Sequence, residues 1–176
     1  MKIACLMAPH LPVQMERQHD LSLANAPLIV GGRPWDADAV LDCCPQAEAA
    51  GVSTGMRMSQ AEALCPAARF VPAREEVYRA AHDALTEAAS HFTPTVETGR
   101  LGLLYAEVSG LERSFGSAQD RRFGTDAHLA RQLVMEACQA LRPGSPPRLP
   151  REPRHEYSRW YSRWQGRPPG WTCGWG

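Results

Sequence analysis

At 176 residues and 44% hydrophobic content, the chain is long enough for one sizeable core, or for one domain with an appendage. No run approaches 18 apolar residues, which excludes an apolar membrane-spanning helix. The N-terminus offers one lysine and a short apolar stretch broken by Pro9, His10 and Pro12, a poor signal peptide, so a cytoplasmic location is expected. The formal net charge of zero hides an asymmetry. Residues 1–142 hold 13 basic and 17 acidic side chains, a net of −4, whereas residues 143–176 hold 6 arginines and 2 glutamates, a net of +4. A body that gripped duplex DNA by itself would carry a basic excess, and this one does not. Cysteines 5, 43, 44, 65, 138 and 173 form no CxxC pair and no zinc-ligand spacing. They are expected to be thiols, most of them small core residues, with no metal site.

In chain order, Lys2 to Met7 is expected to form a short buried strand. Pro27 to Gly32 is a second apolar run ended by glycines, and a third strand is expected to include Ala39 to Leu41. Ser59 with Glu62 has the spacing of a capping box at a helix start, and that helix should end at Cys65-Pro66. From Arg74 to Phe92, residues Val77, Ala81, Leu85, Ala88 and Phe92 recur at helical spacing. Thr95 to Gly99 and Leu101 to Val108 then suggest two strands joined by a turn. Residues 117–125 have the composition of a loop. Asp126 to Leu141 carries Leu129, Leu133, Ala137 and Leu141 on one side of a second amphipathic helix. Asp36, Asp38 and Asp42 are expected in a solvated turn, and His10, without a partner at motif spacing, is expected to be structural.

Residues 101–116, Leu-Gly-Leu-Leu-Tyr-Ala-Glu-Val-Ser-Gly-Leu-Glu-Arg-Ser-Phe-Gly, carry Tyr105, Glu107, Val108, Ser109 and Gly110 in a fixed order. Upstream stand Ala26 to Gly32, then Ala47, Gly51, Val52, Gly55 and Met56, then Leu64-Cys65-Pro66, Val71-Pro72 and Tyr78. Together these segments resemble the palm and fingers of Y-family (UmuC/DinB-like) DNA polymerases, the translesion enzymes. The resemblance covers residues 2 to about 116, with the helix at 126–141 continuing it. It implies an α+β fold: a ferredoxin-like palm with a small fingers insertion at about 9–68, within a polymerase-like domain at 1–141. The chain is expected to stop short of the last palm strand, which the irregular tail at 142–176 replaces.

Family members join nucleotides through two magnesium ions held by carboxylates. By that resemblance the acid positions fall on Met7, Gly102 and Leu103 here, with a further acid of the first motif on Pro9. Residues 1–15 and 98–106 contain no acid at all. Glu16 matches the closing glutamate of the first motif. The triphosphate-facing tyrosine and arginine of the fingers map to Pro45 and Glu48, and the sugar-facing aromatic maps to Pro12. No catalytic, nucleotide-binding or metal-binding residue is therefore expected, and no cofactor, although the family would use Mg2+.

The segment Cys5 to Gln14 is similar to ImuB-type proteins, polymerase-like members that lack the catalytic acids and act in a bacterial mutasome. The expected function is a truncated, inactive polymerase-like scaffold, or its remnant, in DNA repair, translesion synthesis and the SOS response. DNA and the mutasome or replication proteins are the partners that the resemblance implies. Two alternatives stand beside it. One is an active translesion polymerase fragment with unconventional ligands. The other is a single-strand-binding module in which Arg154, Arg159, Arg163 and Arg167 alternate with Tyr157, Trp160, Tyr161 and Trp164. Seven prolines among residues 143–176 argue against helix or central strand there, so the tail is expected to be disordered. Its altered composition also fits translation in another reading frame.

Overall fold

The computed structural model describes residues 1–111 and 125–142. The chain divides into two units, Met1–Ser145 and Pro146–Gly176, and all described residues belong to the first. The loop expected at 117–125, save its last residue Thr125, which is helical, and the tail with its Arg/Trp alternation lie outside the described residues.

Two small sheets organise the first unit. In one, β1 (Ile3–Met7) pairs antiparallel with β6 (Leu103–Glu107), and β6 pairs antiparallel with β5 (Val96–Thr98), giving the order β1-β6-β5. Side chains alternate across a strand, so Ala4 and Leu6 share a face with their partners Ala106 and Leu104. That face is covered by α4 (Glu75–Ser90) and α5 (Thr125–Ala140), which pack on each other and on the sheet. Phe92, Ala106, Val108, Leu129 and Leu133 form one cluster there, with Ala4 and Val96 against it. The opposite face carries Ile3, Cys5, Met7 and Tyr105, all exposed.

The second sheet has the order β3-β2-β4. Its centre is β2 (Leu28–Gly31), paired antiparallel with β3 (Asp42–Cys43) and parallel with β4 (Arg69–Pro72). Leu28, Ile29 and Val30 are fully buried, which explains their uninterrupted apolar run, because a central strand covered on both faces does not alternate. Before this sheet comes α1 (Leu11–His19), and the crossover between β2 and β4 carries α2 (Pro45–Ala49) and α3 (Met58–Leu64). Pro72 closes β4 at a sheet edge, the place a strand tolerates a residue without an N–H.

Several expectations are corrected by the packing. The third strand is Asp42–Cys43, not Ala39–Leu41; Ala39 makes only an isolated antiparallel bridge to Arg57. The helix before Cys65 starts at Met58 with Arg57 as its N-cap and no side-chain cap, so Ser59 lies inside the first turn and no capping box forms. On α4 the buried stripe is Tyr78, His82, Leu85, Ala88 and Ala89, while Val77 is 40% exposed. The face is turned because Tyr78 and His82 find buried hydrogen-bond partners that apolar periodicity alone does not reveal. Cys43, Cys44 and Cys65 are buried thiols as expected, whereas Cys5 is exposed.

One buried polar cluster ties the two layers together. Glu16 on α1 is 4% exposed. Arg74, the residue before α4, donates to it from Nε and from Nη2, each at 2.9 Å. The Tyr78 hydroxyl donates to Glu16 Oε1 at 2.5 Å and accepts from the Arg74 backbone N–H at 3.0 Å. The carboxylate's hydrogen bonds hold the Arg74 pKa above its ordinary value, and burial, followed by the Glu16 contact, raises that of Tyr78.

Cys43 gives a pH prediction. Burial, with Glu48 and Asp42 adding negative charge nearby, pushes its thiol from 9.0 up to about 12. Because the folded state keeps a proton that the unfolded chain releases, this contribution is whole below pH 9 and is lost as pH climbs through about 12. Urea midpoints are expected to fall between pH 9 and pH 11, and to fall less steeply in Cys43→Ala. An equal slope in both proteins would contradict the assignment.

Candidate functional site

The C-terminal end of β1 and the start of β6 bring the expected acid positions together. Met7 and Leu103 are register partners. Ala8 N–H donates to Gly102 O at 2.8 Å and Val108 N–H to Lys2 O at 2.9 Å, so the hydrogen-bonded pairs fall on even residues of β1. Met7–Leu103 is therefore a non-hydrogen-bonded pair, the kind in which side chains stand closest, with Cα atoms about 4.5 Å apart. The place where two carboxylates would meet holds a thioether and an isobutyl group. Neither supplies the hard oxygen that magnesium requires.

Gly102 is closed to a side chain altogether. Its φ is +79°, a left-handed conformation that favours glycine, and a Cβ added there would overlap the Ala8 carbonyl oxygen and lie 3.2 Å from Leu11 Cβ. Its N–H donates to Nδ1 of the buried His82 at 3.1 Å, which leaves the ring proton on Nε2. Gly102 thus has its N–H bonded to α4 and its C=O bonded to Ala8, the residue after β1. The residues present do not fit a magnesium pair. Among the described residues, no three His, Cys, Asp or Glu side chains come together as a metal site.

Beside this corner, His10 caps α1 in the left-handed region at φ 50°, ψ 45°. Its Nδ1 lies 3.1 Å from Asp42 Oδ1, and its Nε2 3.7 Å from Glu48 Oε2. Asp42 also accepts from Cys43 N–H at 3.0 Å and, at the 3.5 Å limit, from Val13 N–H in the first turn of α1. One sequence expectation changes here: Asp42 is a half-buried anchor rather than part of a solvated turn. His10 is structural as expected, with partners 32 and 38 residues away. Asp36 does stay in its turn, accepting from Arg33 N–H at 2.7 Å.

The remaining positions lie on α1 and α2. Pro12 is buried in the first turn of α1, Pro45 opens α2, and Glu48 sits in the last turn of α2. Helix N-termini attract phosphate through unpaired N–H groups. Pro12 removes one such donor from α1, and Asp42 occupies the neighbouring one. With Glu48 3.7 Å from His10 Nε2 and Asp42 on the other ring nitrogen, the carboxylates at the start of α1 disfavour an anionic ligand there. Sequence reasoning missed His82 and the contacts around Gly102, because no local pattern marks a histidine that receives an amide 20 residues downstream.

Comparison with known proteins bears on the family and the fold. The family model described as IMS, the impB/mucB/samB family, matches residues 8–142. A DNA polymerase IV of Dehalococcoides mccartyi is 29% identical over 125 residues, covering 71% of this chain and 32% of that protein. A DNA polymerase IV of Ectopseudomonas mendocina is 36% identical over 104 residues, covering 59% and 30%. The chain thus spans about a third of the length of these curated relatives. Among solved structures, DinB from Sulfolobus solfataricus superposes with a TM-score of 0.68 at 22% identity, covering 79% of this chain and 39% of that one. The strands and helices described here are therefore a Y-family palm and fingers, and the chain belongs to the impB/mucB/samB family of Y-family DNA polymerases and their relatives.

Proposed function

We propose that this protein keeps the polymerase fold without nucleotidyl transfer and serves DNA repair and translesion synthesis as a scaffold, in the manner of ImuB-type members. The observation that carries this reading is the Met7–Leu103 pair beside a Gly102 that admits no side chain. Phosphoryl transfer of this class rests on positioning and on metal-borne charge stabilisation, so a corner without hard-oxygen ligands has little to replace them with. The Asp42 and Glu48 carboxylates support the same reading, since they disfavour a triphosphate.

DNA is the partner suggested by relatives named as DNA polymerases. Because residues 1–142 carry a net charge of −4, any contact with DNA should depend on protein partners more than on a basic surface of this region. The test is primer extension on an undamaged template and on an abasic template, with Mg2+ and with Mn2+. Incorporation is expected to match a protein-free control. Template-directed extension that persists through repurification of the protein would overturn the proposal.

A further inference from the structure

His10 stands between two carboxylates, with Nδ1 3.1 Å from Asp42 Oδ1 and Nε2 3.7 Å from Glu48 Oε2. Asp42 is an acceptor, already taking the Cys43 and Val13 N–H groups, so the ring hydrogen belongs on Nδ1. In the neutral ring the Nε2 lone pair then lies beside the Glu48 carboxylate, two electron-rich groups side by side. Their 3.7 Å separation is too long for a hydrogen bond. It is close to the span of two ligands on one ion, since bonds of about 2.0–2.1 Å at a tetrahedral angle put nitrogen and oxygen about 3.4 Å apart. Glu48 sits in the last turn of α2 with its side chain 51% exposed, so a small rotation closes the difference. His10 is also the one non-glycine residue with positive φ among the described residues. Backbone held in that region by its surroundings is often what sets a functional side chain.

We propose that His10 Nε2 and a Glu48 oxygen form a site for a borderline divalent transition ion such as Zn2+, with water at the remaining positions. Asp42 is a positioning residue there. It accepts from Nδ1, fixes the tautomer that leaves Nε2 available to the ion, and strengthens the ring as a ligand, the arrangement usual around a metal-bound histidine. The site differs in chemistry from the magnesium pair that Met7, Gly102 and Leu103 do not fit. Imidazole nitrogen suits zinc, copper and nickel, whereas magnesium holds to oxygen ligands and to its own water. Among the described residues no third histidine, cysteine or carboxylate joins as a ligand, so binding is weak. A bound ion ties the start of α1 to the last turn of α2 and neutralises charge where two carboxylates converge on one ring. It therefore acts as a clip between these two helices, with no part in nucleotidyl transfer.

The test titrates the full chain with Zn2+ and follows its melting temperature and the nitrogen-15 resonances of its histidine rings. With a dissociation constant on the order of 50 µM, about 500 µM Zn2+ should raise the melting temperature by about 4 °C. The same concentration of Mg2+ or Mn2+ should leave it unmoved. In the ring spectrum zinc should shift Nε2 of His10 and leave Nδ1 protonated. Glu48→Gln changes an exposed side chain, should fold, and should lose most of the zinc-dependent rise. His10→Asn keeps a residue that tolerates the left-handed region and an N–H for Asp42, and should lose the rise altogether. Asp42→Asn should weaken binding about 10- to 100-fold and let part of the ring population carry its hydrogen on Nε2. A zinc-dependent rise of equal size in Glu48→Gln and His10→Asn would overturn the proposal, because the ion would then sit on other groups such as the thiols. So would a His10 ring that does not respond to Zn2+ at concentrations up to about 1 mM, twenty times the expected dissociation constant.

Discussion

Gly102→Asp is expected to destabilise the fold by on the order of 3 kcal/mol and to create no cation site. A non-glycine residue in the left-handed region costs about 1–2 kcal/mol by itself. The larger part comes from the neighbours, because the new Cβ overlaps the Ala8 carbonyl oxygen and crowds Leu11. Relieving that overlap means moving β1 away from β6, or turning the peptide and losing both the Ala8 N–H to Gly102 O bond and the Gly102 N–H to His82 bond. Each lost bond that leaves a buried group unpaired adds about 1–3 kcal/mol. Urea denaturation measures the loss, and an unchanged midpoint would mean that the backbone here is freer than described.

The informative contrast is Met7→Asp combined with Leu103→Glu. These positions are register partners on the open face, and Met7 is largely exposed, so both changes should fold. Two carboxylates on a non-hydrogen-bonded pair repel each other by up to about 1 kcal/mol, a penalty that a divalent cation would remove. With a dissociation constant of about 1 mM, 10 mM Mn2+ should raise the melting temperature of the double variant by about 3 °C and leave that of the original protein unmoved. Primer extension should remain absent from the double variant. Gly102 still bars the third carboxylate, and the Asp42 and Glu48 carboxylates still flank His10 at the start of α1.

The legible parts of this fold are those set by local pattern or by motif order. The runs at 2–7 and 27–32 and the periodicity at 126–141 gave strands and a helix within a residue or two of their observed limits. The motif order placed Met7, Gly102 and Leu103 together, although 95 residues separate Met7 from Gly102. Illegible parts depend on pairings distant in sequence. Helix α1 was not anticipated, because Pro9, His10 and Pro12 read as breakers, whereas Pro12 is accommodated in the first turn, where an N–H has no helical partner. The stripe of α4 was assigned to Val77 because its real members, Tyr78 and His82, are polar until Glu16 and Gly102 are seen to satisfy them. Asp42 looked like a turn residue because its partners come from the loop and helix after β1.

Arg74→Met is expected to cost about 3 kcal/mol at neutral pH, the lower end of the range for breaking a buried ion pair. The Glu16 carboxylate is almost wholly buried, and without Arg74 its described hydrogen bonds fall to the single one from Tyr78. The guanidinium side of the pair is about a third exposed, so water can enter the space it leaves, which keeps the loss below the 5 kcal/mol seen in dry sites. Tyr78→Phe should cost less, about 1–3 kcal/mol, since one buried acceptor loses one of its donors. The pair is worth little compared with a well-packed apolar substitute, so Glu16→Met added to Arg74→Met should recover more than half of the loss. If the double variant is as unstable as the sum of the two single ones, the groups act independently and the ion-pair account fails. Because Glu16 belongs to α1 and Arg74 with Tyr78 to the start of α4, the same variants bear on cooperativity. Losing the cluster should broaden a single unfolding transition by letting the β3-β2-β4 layer open before the β1-β6-β5 layer.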